Sequence, residues 1–162
     1  MKTAKIKVKD GDLLATLQEF FRSILQLEDI SAILVPQHLP MKNVVMPTLV
    51  TDPEQLNGAD PLAPVFPMNA AKIVSRLTRK PMGAKIAAVL RPCEIRAFIE
   101  LVKLKQGRPD DLILIGIDCL GAFQNQDYFQ YKIESQIKSR NAAGRRIRFS
   151  SNDKIYCFLS GI

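Results

Sequence analysis

The sequence has no tryptophan, one histidine and three cysteines, and aromatic residues make up only 7% of it. So few aromatics leave no stacking signature of an RNA-binding module, and nucleic acid is not an expected partner. Three widely spaced cysteines, an odd number, do not make a secreted disulfide framework. No C-x-x-C is present, so neither a zinc ribbon nor a dithiol redox motif is supported. G-x-G-x-x-G, the P-loop and G-x-S-x-G are absent as well. No apolar run approaches the roughly 18–20 residues of a membrane-crossing helix, and the first residues lack a signal-peptide core. These absences read as a soluble, cytoplasmic protein without membrane insertion. His38, the lone histidine, sits between Pro36 and Pro40 and reads as a turn residue rather than a catalyst.

What is present points to one α/β domain over residues 1–162. With 162 residues and 47% hydrophobic content the chain can bury a substantial core. The net charge is +7, from 23 basic and 16 acidic residues, compatible with an anionic cofactor or an acidic partner subunit. After Gly121 there are seven basic residues against three acidic ones, giving a basic tail over 141–162.

Hydrophobic periodicity sets the expected elements. Ala4–Val8 alternates like a short strand. Leu13 to Leu27 carries apolar residues at helical spacing behind Asp12 as a cap. Ile30–Val35 is a compact apolar run closed by Pro36, a buried strand. Residues 44–50 suit an edge strand, because Pro47 removes a backbone donor. Residues 51–68 form a long proline-rich loop, with one helical turn at Pro53-Glu54-Gln55-Leu56, and such loops are commonly functional or partner-binding. Asn69 caps a helix from Ala70 to about Lys80. A further helix is expected over 124–140, and a hairpin from 145–149 and 154–159.

The chain is organised around residues 85–121. Lys85–Leu90 reads as a buried strand, Pro92 opens a helix at the position where its missing N–H costs nothing, and Ile113–Ile117 is a strand buried on both faces. A mostly parallel sheet flanked by helices follows. Cys93 and Cys119 then stand at equivalent places, just past the ends of consecutive strands, where open α/β sheets hold ligands. The helix N-terminus and Arg91 favour a thiolate at Cys93, and the same N-terminus can receive an anion. Gly121 permits positive φ or close backbone approach beside Asp118. Glu94 and Glu100, with Arg96 and Lys103, read as helix-surface pairs. Taken singly, each cysteine reads as a buried packing residue, and only their equivalent positions bring a shared site level with that reading.

Pro92-Cys93-Glu94 and Ile115-Gly116-Ile117-Asp118-Cys119 resemble the paired P-C-[QE] and I-G-[LI]-x-C turns of the coenzyme F-420 hydrogenase/dehydrogenase beta-subunit family, which includes formate dehydrogenase beta subunits. Ala59-Asp60-Pro61-Leu62-Ala63-Pro64 and Asn69-Ala70-Ala71 fit the same setting, so the likeness spans about residues 5 to 125. It implies a flavin-linked electron-transfer subunit that binds FAD, works between iron–sulfur centres and a hydride-type acceptor such as the deazaflavin coenzyme, and sits with other subunits of a redox complex or in a homo-oligomer. By that resemblance Cys93 and Cys119 become metal ligands of an iron–sulfur site. Asn69, Arg91, Pro92, Cys93, Asp118 and Gly121 become cofactor-binding residues. Family members continue further, with more cysteines, whereas this tail offers only Cys157, so the ligand set is incomplete. The alternative is a non-catalytic scaffold or assembly domain of a larger redox complex, with both cysteines buried in packing.

Overall fold

The computed structural model describes residues 6–8, 11–39, 44–65, 67–81, 83–119, 121–123 and 127–128, together with the backbone of Tyr156–Phe158. Helix α1 (Leu13–Leu25) leads to strand β1 (Ile30–His38), β2 (Val45–Val50), a 3-10 helix (Pro53–Gly58) and α2 (Ala71–Leu77). Then come β3 (Lys85–Leu90), α3 (Pro92–Lys103), β4 (Leu112–Gly116) and β5 (Tyr156–Phe158). The strands lie in the order β2-β1-β3-β4-β5. β1, β3 and β4 run parallel at the centre, with β2 and β5 antiparallel at the flanks. The fold is α/β.

Side-chain alternation along the central strands divides the core in two. Ile33, Val35, Ala87, Val89, Ile115 and Ile117 face α1, whose Leu17, Phe21 and Leu25 recur every four residues. Leu34, Ile86, Ala88, Leu90 and Leu112 face α2 and α3, where Val74, Ile95 and Phe98 meet them. Burying Phe98, 1% exposed, contributes about 2–3 kcal/mol of transfer free energy. Covered on both sides, the three parallel strands have the near-continuous apolar character their composition anticipates.

Several boundaries differ from the sequence expectation. β1 continues through Pro36 to His38. The Pro36 carbonyl accepts from the Asp60 amide at 2.8 Å, on the side away from β2. N and O of one strand residue point the same way, so the missing N–H costs no bond to β2. Its partner across the ladder is Pro47, on an edge-forming strand as anticipated. α1 stops at Leu25, leaving Leu27 56% exposed. α2 is shorter than expected, with Thr78 as its C-cap; the Thr78 hydroxyl bonds to the Val74 carbonyl at 2.9 Å and receives the Arg108 amide at 3.2 Å. Residues 6–8 are not in a strand, and Ala4 and Lys5 lie outside the described residues. The expected 124–140 helix is described only at Asp127 and Tyr128, both helical. Of the expected hairpin, Tyr156–Phe158 is a strand paired with β4, while 145–149 lies outside the described residues.

Candidate functional site

The parallel strands β3 and β4 end side by side, with Leu90 opposite Gly116 and the Ile117 amide 3.0 Å from the Leu90 carbonyl. Arg91 leaves the first strand and Asp118-Cys119 the second. Pro61, Leu62, Ala63, Arg91, Asp118, Cys119 and Gly121 line a small cleft there, open to solvent and enclosing only about 10 Å3. Gly121 has φ +116°, and a Cβ placed on it would meet nothing within 4 Å. Backbone conformation rather than space therefore calls for glycine at this turn.

Residues 59–65 form one wall. Ala59 bridges Gln37, the Asp60 amide reaches Pro36, and Asp60 Oδ2 lies 2.9 Å from His38 Nε2. Further along, Arg91 Nη2 donates to the carbonyls of Ala63 and Val65, both at 2.8 Å. Val65 bridges Phe123, whose amide reaches the Pro64 carbonyl at 2.8 Å. The segment is thus tied in turn to the carboxyl ends of β1, β3 and β4. Alternate residues Ala59, Pro61, Ala63 and Val65 are buried, which makes it a packed wall. His38 is accordingly the last residue of a strand, facing an acid, and not a residue of the turn beyond it.

Glu94 departs most from expectation. Placed on the helix surface by its spacing, it is 5% exposed instead. Its Oε1 accepts from the Ala70 amide at 2.7 Å and its Oε2 from the Arg91 amide at 3.0 Å. One carboxylate thereby ties the start of α2 to the start of α3. The sequence signal was available: a glutamate at the third position of a helix opened by proline is half of a capping box. The reciprocal arm comes from the Arg91 carbonyl, which takes the Glu94 and Ile95 amides at 3.0 Å each. Pro92 has no N–H, so at most the Cys93 amide is left for an outside anion. The helix N-terminus is filled by the chain's own groups. Glu100 and Lys103 do form the expected surface pair, at 2.7 Å.

Of the sequence-derived residues, Arg91, Asp118, Cys119 and Gly121 come together on the pocket. Cys93 and Pro92, exposed on the first turn of α3, do not line it. Cys93 and Cys119 each stand three residues past their strand, as their spacing indicates, and both are free and exposed. Neither is the buried packing residue that the scaffold alternative requires. Asn69 lies outside the pocket; its Oδ1 accepts from the Ala71 amide at 3.0 Å, but the N-cap position of α2 belongs to Ala70 and not to Asn69 as expected. Pro61, Leu62 and Ala63 were not selected as site residues, although they belong to the Ala59–Pro64 stretch that carries part of the resemblance. Among the described residues no three His, Cys, Asp or Glu side chains converge as a metal site. No helix of the described residues is long and apolar enough to cross a membrane.

No protein-family model matches the chain.

Proposed function

We propose that the chain is a flavin-linked electron-transfer subunit, working with other subunits of a cytoplasmic redox complex or as a homo-oligomer, and binding neither nucleic acid nor membrane. The observation that carries this reading is the meeting of Arg91, Asp118, Cys119 and Gly121 in one pocket at the carboxyl ends of adjacent parallel strands. That edge is where open α/β sheets receive cofactors. The resemblance of the same two turns to the beta-subunit family supplies the cofactor, FAD, and the partner chemistry, iron–sulfur centres on one side and a hydride acceptor such as the deazaflavin coenzyme on the other.

The pocket's fit to FAD is partial. The enclosed space is about 10 Å3, room for about one water and far below the roughly 300–1,000 Å3 typical of small-molecule sites, so one end of the molecule would lie against this cleft only with the 59–65 wall drawn back. The α3 N-terminus offers the pyrophosphate little, since Glu94 and the Arg91 carbonyl already occupy it. Arg91 would present positive charge to the bound end while holding the wall at Ala63 and Val65. Asp118, exposed at the rim, would accept a hydrogen bond, and Gly121 turns the chain so that the backbone can approach. When bound, the flavin supplies the hydride and single-electron chemistry, and the protein contributes placement and electrostatics. A four-thiolate cluster does not fit the described residues alone; Cys119 would contribute one ligand, with the rest supplied from elsewhere.

The test is the absorption spectrum and iron content of anaerobically purified protein, followed by FAD titration. A flavin band with saturable binding is expected. Colourless protein that ignores added FAD counts against the reading.

A further inference from the structure

The amino edge of the sheet, opposite the pocket, gathers charge from two distant segments. The loop after α2 feeds β3 there, and the loop after α3 feeds β4. They are pressed together: the Ser75 hydroxyl bonds to the Gln106 carbonyl, and the Arg108 amide to Thr78 Oγ1. A Cβ on Gly107 would meet Phe98 at 3.1 Å and the Ser75 backbone at 3.3 Å. Exposed Arg76, Arg79, Lys80, Lys105 and Arg108 thereby share one edge. Arg108 faces Asp110 at 3.4 Å, whereas the other four form no ion pair among the described residues.

Two further features mark the same place. Leu104, 65% exposed, is the most exposed large hydrophobic residue among those described. Lys105 has φ +57° and is the one non-glycine described in that region. It closes α3 in a Schellman turn, with the Gln106 amide on the Leu101 carbonyl at 2.8 Å and the Lys105 amide on Val102 at 2.9 Å. Glycine would suit that position better, so the chain carries a cation at a conformational cost. The negative ends of two helix dipoles account for basic residues in the last turns. Leu104 adds an apolar contact point next to Lys105 on that edge.

We infer that this amino-edge patch docks an acidic segment of a partner protein whose apolar side chain covers Leu104. Charge complementarity selects the acid, and Leu104 selects protein over nucleic acid, whose backbone offers the leucine nothing. The surface is too polar around that leucine for a bilayer. Docking here leaves the opposite edge open, and the inference does not depend on the flavin reading.

Binding of a glutamate–leucine copolymer to the full chain tests it, against poly-L-glutamate of equal charge, duplex DNA and phosphatidylglycerol vesicles. The copolymer should bind tighter than poly-L-glutamate. The double variant Arg79→Glu/Lys80→Glu should weaken it about tenfold, as loss of complementary charge does. Lys105→Gly, which relieves backbone strain and so keeps the fold, should also weaken it. Lys72→Glu, at the other end of α2, should not. Equal weakening by Lys72→Glu would reduce the patch to diffuse charge and sink the inference. So would tighter, patch-dependent binding of DNA or vesicles, no preference for the copolymer, or self-association that the double variant abolishes.

Discussion

Glu94 Oε1 lies 2.7 Å from the amide nitrogen of Ala70, twenty-four residues earlier in the chain. The other oxygen of the same carboxylate holds the Arg91 amide. Two helix starts and the strand end that carries Arg91 thus share one buried acceptor. Glu94→Ala would leave two buried N–H groups without partners and should cost about 2–4 kcal/mol in urea unfolding. Glu94→Gln keeps one acceptor oxygen and should cost clearly less.

Arg91 is 8% exposed and spends Nη2 on the Ala63 and Val65 carbonyls. Lysine cannot reproduce a planar nitrogen shared between two acceptors. Arg91→Lys should destabilise by about 2 kcal/mol, on the scale of bonds donated by a charged group. Hydrogen exchange should report the loss locally, as faster exchange of the Phe123 amide that reaches Pro64, while the amides of β3 keep their protection.

Much of this architecture was legible in advance, and the particular failures are physical. KIAAVL, the second buried strand (expected at 113–117 and observed one residue earlier, as LILIG) and the Pro92 helix start were readable because burial on both faces and a proline at the first helical turn are local properties of sequence. Pro36 was misread as a strand end because whether its absent N–H matters depends on which side Asp60 and β2 occupy. Glu94 was misread because periodicity places it on the helix without revealing that α2 starts against it. The equivalence of Cys93 and Cys119 was legible as spacing. Which thiol meets the 59–65 wall was a tertiary question, and the pocket takes in Cys119 alone.

Gly107 tests the packing of the α3–β4 loop onto α2. Gly107→Ala would place a methyl 3.1 Å from the Phe98 ring, 3.3 Å from Ser75 Cα and 3.3 Å from Thr78 Oγ1. A backbone atom is among the neighbours, so the loop must shift. The expected cost is about 1–3 kcal/mol, read from the denaturation midpoint.

The reverse is expected nearby. Lys105 adopts φ +57° at the end of α3. Lys105→Gly should raise stability by about 1 kcal/mol, or about 2–4 °C in thermal midpoint for a chain of this size. An unchanged or lowered midpoint would show that the lysine's stem contributes packing that outweighs its backbone strain.

The functional proposal rests on the pocket that contains Cys119 and leaves out Cys93. Its most direct test is the rate of thiol labelling at the two cysteines, resolved by peptide mass spectrometry, during a titration with FAD. Both are exposed, so both should label in the native protein without ligand. The account predicts saturable slowing at Cys119 while Cys93 continues at its original rate. Unchanged labelling of Cys119 at every FAD concentration, or protection of Cys93 alone, would contradict it.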